Sequence, residues 1–232
     1  MSNVIKHSLI IIFMFWNLLF GNAAEAQDWA NRARYASSNA ELLSQTPDPK
    51  LVVMMGNSIT EFWEETHPLF FAENHLAGRG ISGQVSSQML VRFRQDVINL
   101  HPRAVVINCG TNDIAENNGP YDEEITIDNI RSMIELALNN DIAVVLSSVL
   151  PCDKFCWNPS IKQVQDKILS LNCRILKLAQ EFSLPYIDYY SAMIWGESGA
   201  LNPAYTEDGV HPNAAGYNVM EIRLLDILMQ FN

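Results

Sequence analysis

The chain has 232 residues, of which 48% are hydrophobic and 18% charged, with a formal net charge of −11. That length and apolar content suit one globular domain with a full-sized core and exclude a disordered chain. The acidic balance sets aside nucleic acid and anionic lipid as binding partners, because phosphate recognition needs clustered Lys and Arg.

The chain opens on an export pattern. Lys6 and His7 precede an apolar run from Leu9 to Phe20, and Ala24-Glu25-Ala26 follows in the A-x-A form of a cleavage site. The run is short of the ~20 apolar residues that span a bilayer. Cleavage after Ala26 is therefore expected, with an uncleaved anchor as the alternative. It would release one domain, 27–232, into the periplasm or the medium with no stable membrane association.

Strands and helices then alternate. A helix is expected from Asp28 to about Gln45, a short buried strand at 51–55, and a helix, intact or broken, from Ile59 to Phe71. A strand running into a glycine loop follows at 75–83, then a helix from Gln84 to Leu100 and a strand at 104–108. Ile127, Ile130, Ile134 and Leu138 recur at spacings of three and four and predict a helix over 122–140. A strand at 142–150, a long helix at 160–182, a strand end at 185–190 and a last helix at 212–231 complete the order.

This alternation implies parallel strands joined by right-handed crossovers. The strand runs are continuously apolar, as in a sheet covered on both faces. The fold class is thus α/β: a three-layer α/β/α sandwich around a parallel sheet of about five strands. In such sheets ligands bind beyond the carboxyl ends of the strands, near the switch in strand order. Gly56-Asn57-Ser58, the glycine loop 78–83, Gly110-Thr111-Asn112-Asp113, 150–157 and 188–190 all fall at those ends, and Asp208-Gly209-Val210-His211-Pro212 stands just before the last helix.

Ser58 has two readings. Ser58-Ile59-Thr60-Glu61 matches a capping box, in which the serine only closes a helix end. Alternatively, a serine on a strand-to-helix turn is a nucleophile if a base takes its proton. Among the five histidines, only His211 has a carboxylate three residues earlier, Asp208, within reach across a tight turn. That is the acid–base relation of a catalytic triad, and Gly209 suits the turn. Acyl transfer also needs oxyanion donors, for which the Gly80 N–H and the Asn112 amide are candidates. Each of these residues alone is a common turn residue. Their gathering at one end of one sheet favours chemistry.

Four cysteines are present: Cys109, Cys152, Cys156 and Cys173. Cys109 ends a strand and is expected to be buried. Cys152 and Cys156 flank three residues and form a disulfide if their Cα atoms come within ~7 Å. No Cys/His spacing resembles a zinc site.

The blocks Gly56-Asn57-Ser58-Ile59-Thr60, Arg79-Gly80-Ile81-Ser82-Gly83, Gly110-Thr111-Asn112-Asp113 and Asp208-Gly209-Val210-His211-Pro212 resemble, in order and spacing, the four blocks of the SGNH hydrolases, or GDSL esterases/lipases. The resemblance runs from Leu51 to the last helix and implies their flavodoxin-like fold. It implies Ser58 as nucleophile, His211 as base, Asp208 as its orienter, and Ser58 N–H, Gly80 N–H and Asn112 as the oxyanion hole, with no metal or cofactor. Two positions depart from the pattern. Asn57 stands where the family usually has Asp, and Gly78 where it often has Asn.

The family cleaves acetyl groups from sugars, short acyl esters, lysophospholipids and thioesters. The stretches 92–97 and 147–151 resemble those of bacterial acetylhydrolases acting on acetylated carbohydrate or platelet-activating-factor-like esters, which implies a small acyl group. Export favours a glycan, and Trp157, Trp195, Tyr189 and Tyr190, in or near the expected rim loops, either stack on sugar rings or pack in the core. The alternatives are a lysophospholipase or thioesterase, an acyltransferase with the same triad, and a silent glycan-binding module on the same scaffold.

Overall fold

The structure, a computed structural model, describes residues 28–231. The expected export signal lies outside the described residues. Among those residues no helix is long and apolar enough to cross a membrane.

After a turn-rich lead the chain forms α1 (Ala36–Ser44), β1 (Val52–Gly56), α2 (Ser58–Thr66) and α3 (Pro68–Glu73). β2 (Leu76–Gly80), α4 (Ser86–Asp96), β3 (Ala104–Ile107) and α5 (Thr111–Ile114) follow. α6 (Glu123–Leu138), β4 (Ala143–Ser147), α7 (Val164–Glu181), β5 (Tyr186–Ile187), α8 (Tyr189–Met193) and α9 (Ala214–Leu228) complete the order. The expected elements are all present, most with shorter bounds; β1 is shifted by one residue, the helix expected over 59–71 spans 58–73 in two pieces, and α8 takes up the end of the strand expected at 185–190. The break after α2 falls at His67-Pro68, where proline disfavours helix in the residue before it.

The five strands form one sheet in the order β2-β1-β3-β4-β5, and every pairing is parallel. Successive residues of each strand serve opposite faces. Val53, Met55, Val105 and Ile107 join a core with Met89, Phe93, Ile130, Ile134, Ile168 and Leu171 from α4, α6 and α7. Val52, Met54, Val106 and Val145 join Ile59, Trp63, Tyr217 and Leu224 from α2 and α9. Each such side chain contributes about 1.5–3 kcal/mol by leaving water. Burial on both faces explains why the strands read as unbroken apolar runs. Leu138 of the expected α6 stripe is partly exposed, beyond the last buried turn.

From β1 the chain crosses to β2 on one side and returns to β3 on the other. The strand order therefore reverses between β1 and β3. Their carboxyl ends lead directly into Ser58 and Asn112.

Candidate active site

Ser58 is the first residue of α2, and Asn57 is its cap. Asn57 Oδ1 accepts the Ile59 N–H at 3.1 Å. The capping-box reading of Ser58 is thus corrected: the cap sits one residue earlier, and Glu61 is engaged elsewhere. Its carboxylate accepts the Ser82 N–H at 2.7 Å and an Arg34 N–H at 2.9 Å. Asn57 fills the capping role an Asp would fill, while its Nδ2 is buried with no partner among the described residues. The side chain of Ser58 is left free of helix capping.

The Ser58 hydroxyl reaches His211 instead. Ser58 Oγ and His211 Nε2 are 2.9 Å apart, and His211 Nδ1 and Asp208 Oδ2 are 2.6 Å apart. An ionised carboxylate can only accept, so Asp208 accepts the Nδ1–H hydrogen bond, holds that proton on Nδ1, and leaves Nε2 to accept from serine. The other carboxylate oxygen, Oδ1, accepts the backbone N–H groups of Val210 at 2.9 Å and His211 at 2.8 Å. Burial pushes the Asp208 carboxyl up. The hydrogen bonds from the His211 ring and the two backbone N–H groups outweigh it and hold the group below its ordinary value.

Local chemistry builds this loop. Gly209 takes φ +83, the left-handed turn that lets positions 208 and 211 face each other. Thr206 Oγ1 donates to His211 O at 2.7 Å and accepts the Gly209 N–H at 3.0 Å. Asn213 caps α9 by accepting the Gly216 N–H at 3.1 Å. Thr206 was not singled out from sequence, although a threonine two residues before an aspartate is a local turn signal.

The two oxyanion candidates flank this chain. Gly80 ends β2 opposite Gly56, with its carbonyl accepting from Tyr35 Oη. A side chain there would stand 2.5 Å from Asn57 O and 2.8 Å from Thr60 C, and would overlap Glu61 N, so only glycine allows the strand end to meet the start of α2. The family departure at Gly78 has its own reason: the Glu64 carboxylate occupies the space a side chain would need, and Glu64 Oε1 accepts the Gly78 N–H at 3.1 Å. Asn112 donates Nδ2–H to Gln84 O at 3.0 Å and accepts at Oδ1 from Asn117 Nδ2 at 3.0 Å. One N–H of Asn112 makes no hydrogen bond among the described residues. Its neighbour Asp113 faces inward: its Oδ1 accepts from Ser86 Oγ at 2.5 Å, and burial raises its carboxyl despite those bonds.

Under the sheet end lies Arg92, fully buried, whose Nε donates to Gln84 Oε1 at 2.6 Å. Sequence reasoning missed Arg92, Gln84 and Asn117, since a polar residue on a helix or loop gives no sign of its distant partners.

The rim is only partly the one expected. Trp157 is exposed and its ring lies 6.3 Å from that of His211. Phe62, not singled out beforehand, is also exposed and lies 5.3 Å from the same ring. Trp195 is exposed, on the loop whose ends are bridged at Ile194 and Leu201. Tyr190 is half-buried, its N–H donated to Ser148 Oγ. Tyr189 is not a rim residue: it is buried edge-on to Trp63, 6.4 Å away, because α8 turns it into the core. Cys152 and Cys156 are free thiols, and burial pushes the Cys152 thiol up to about 12. Cys109 is buried, as expected. Among the described residues no cluster of three or more His, Cys, Asp or Glu is placed to hold a metal ion.

This arrangement defines a class: an α/β protein whose hydrogen-bonded serine, histidine and aspartate meet at the strand-order switch. The sequence profile of the GDSL-like Lipase/Acylhydrolase family matches residues 54–219, and the chain belongs to that family. A candidate acylhydrolase of Bacteroides fragilis NCTC 9343 is 56% identical, superposes with a TM-score of 0.86, and is covered over 99% of its length by 88% of this chain. A GDSL-like lipase of Bacteroides thetaiotaomicron VPI-5482 is 52% identical, with a TM-score of 0.85 and coverage of 88% and 99%. A catalytic variant of an acetylxylan esterase from Geobacillus stearothermophilus shares the fold at 15% identity, with a TM-score of 0.63 and coverage of 79% and 95%. A search of curated proteins finds no match to this chain.

Proposed function

We propose that this acylhydrolase is an exported serine esterase that removes short acyl groups, acetyl foremost, from carbohydrate. The observation that carries the reading is the unbroken hydrogen-bond chain Ser58–His211–Asp208. In the proposed reaction Ser58 Oγ attacks the ester carbonyl as its proton passes to His211 Nε2. The negative charge that develops is met by Ser58 N–H, Gly80 N–H and the spare N–H of Asn112. His211 then gives the proton to the leaving alcohol, and the acyl group remains on Ser58. Water, deprotonated by His211, attacks the acyl-serine, and His211 returns that proton to Ser58 Oγ as the acid leaves. Asp208 keeps the imidazole in the right tautomer and balances its charge while it is protonated.

Support for a sugar ester comes from the exposed aromatic rim of Trp157 and Phe62, from the export pattern before Asp28, and from the shared fold of the acetylxylan esterase. The test is acetate release from p-nitrophenyl acetate and from acetylated xylan by residues 27–232, beside Ser58→Ala. Release by the wild type alone is expected. Equal release by both proteins would remove Ser58 from the reaction. No release by either on any acyl ester would favour a binding protein on this scaffold.

A further inference from the structure

Asn112 is held at both ends of its amide. Its Oδ1 accepts from Asn117 Nδ2 at 3.0 Å, and its Nδ2 donates to Gln84 O at 3.0 Å. An asparagine amide has one acceptor oxygen and two N–H donors. With the oxygen and one N–H engaged, one N–H remains for a substrate. A flipped amide would set two NH₂ groups against each other at Asn117 and two oxygens against each other at Gln84, so Asn117 and the Gln84 carbonyl together fix which way Asn112 faces. The chain enters this arrangement through Glu116, at φ +58, which brings the Asn117 N–H to Asn112 O at 3.1 Å.

Asn117 is itself held from outside. Trp157 Nε1 donates to Asn117 Oδ1 at 2.9 Å. On the far side of the turn a second exposed tryptophan, Trp29, donates from Nε1 to Asn118 Oδ1 at 3.3 Å. The Trp157 ring rests 5.1 Å from buried Phe155, stands 6.3 Å from His211, and keeps 47% of its surface exposed. One indole thus presents a face beside the catalytic base and an N–H to the residue that orients Asn112.

We infer that Asn117 is a positioning residue for the oxyanion donor, and that Trp157 is a specificity platform for the leaving sugar that holds Asn117 in register. The inference rests on the esterase reading above. A sugar ring stacked on the exposed indole restricts Trp157, and through Asn117 restricts the Asn112 amide. Occupation of the platform by the right alcohol therefore steadies the group that stabilises the transition state.

The test is a KM-against-kcat comparison on p-nitrophenyl acetate, which has no sugar, and on an acetylated xylooligosaccharide, with a thermal melt on each variant. Asn117→Ala should lower kcat on both esters by about tenfold to thirtyfold with KM unchanged, less than outright loss of an oxyanion donor. Asn117→Asp keeps an acceptor for Trp157 but offers Asn112 no donor, and should show the same loss. It serves where the alanine variant melts early. Trp157→Phe keeps a ring and loses the N–H, so kcat should fall a few-fold on both esters while KM for the sugar ester holds. Trp157→Ala should raise KM about threefold to tenfold on the sugar ester alone. Asn117→Ala combined with Trp157→Phe should be no slower than Asn117→Ala, since both cut one path.

A kcat for folded Asn117→Ala and Asn117→Asp within about twofold of wild type, or losses that multiply in the double variant, would overturn the relay. An unchanged sugar-ester KM in Trp157→Ala would overturn the platform. In those cases wild-type turnover leaves the esterase reading standing. A wild type inactive on both esters removes that reading, and the inference with it.

Discussion

Arg92 ties the ends of two strands together through one nitrogen: its Nη2 donates to Gly56 O at 2.9 Å and to Arg79 O at 2.8 Å. Gly56 leads into Asn57 and Ser58, and Arg79 into Gly80, so the guanidinium underlies both the serine and the glycine proposed for the oxyanion hole. Its remaining nitrogens serve Gln84 and Asp96, and Asp96 also accepts from Asn39 Nδ2 at 2.8 Å. Burial lowers the Arg92 pKa, and the Asp96 carboxylate opposes that shift.

Removing this arginine should therefore damage stability before chemistry. Arg92→Met leaves Asp96, 1% exposed, as a buried charge without its cation. A loss of about 3–5 kcal/mol is expected in urea denaturation. Arg92→Lys should recover little of it, because a single ammonium cannot reach acceptors on Gly56, Arg79, Gln84 and Asp96 together. A variant as stable as wild type would show that the network is incidental.

Asp208→Asn separates orientation from folding. The amide oxygen can still accept the backbone N–H groups of Val210 and His211, so the loop keeps its shape. It no longer offers a carboxylate to His211 Nδ1, and the wrong imidazole tautomer becomes favoured. The expected loss in kcat on p-nitrophenyl acetate is on the order of 10³–10⁴-fold, with KM little changed. A loss below about tenfold would remove Asp208 from its proposed role.

The same pair predicts an acid limb of stability. The folded pKa of Asp208 lies below its ordinary 3.8. Its contribution to stability is therefore present above pH 3.8 and is lost as pH falls through the lower folded value. Asp208→Asn has nothing to titrate at that position. The stability difference between wild type and variant, measured by urea denaturation across pH, should shrink below pH 3.8. A difference that widens there would reverse the sign of the coupling.

Gly80→Ala tests how closely β2 meets the start of α2. The added methyl would meet the backbone at Asn57 O, 2.5 Å, and at Thr60 C, 2.8 Å. Backbone atoms of two regular elements cannot step aside as a flexible side chain can. Destabilisation of roughly 3 kcal/mol is expected, with esterase activity lost beyond what stability explains because the glycine N–H is displaced. Wild-type kcat in Gly80→Ala would show that the added methyl does not displace the N–H at position 80.

Much of this arrangement is local and can be read along the chain. The strands are apolar runs, since each is covered on both faces, and Asp208 and His211 lie within one turn, so their pairing needs no distant contact. The candidate site residues Ser58, Gly80, Asn112, Asp208 and His211 stand at strand ends or just before a helix, where the alternation of elements already puts them. Where local reading went astray, a distant group had intervened. Glu61 looked like the partner of a serine cap, yet it binds Ser82 and Arg34, and Asn57 caps the helix. Tyr189 looked like rim and is core, because α8 packs it against Trp63.

The sequence by itself determined the α/β order, the glycine turns and the acid–base pair, because these depend on periodicity, backbone freedom and spacing within a few residues. Only the tertiary structure decided that Ser58 meets His211 across 153 positions, that Arg92 is a buried hub rather than a surface charge, and that Trp157 reaches Asn112 through Asn117. Those contacts join segments far apart in sequence. Hydrogen bonding between groups distant in sequence depends on where the folded backbone puts each partner, and no local pattern encodes that.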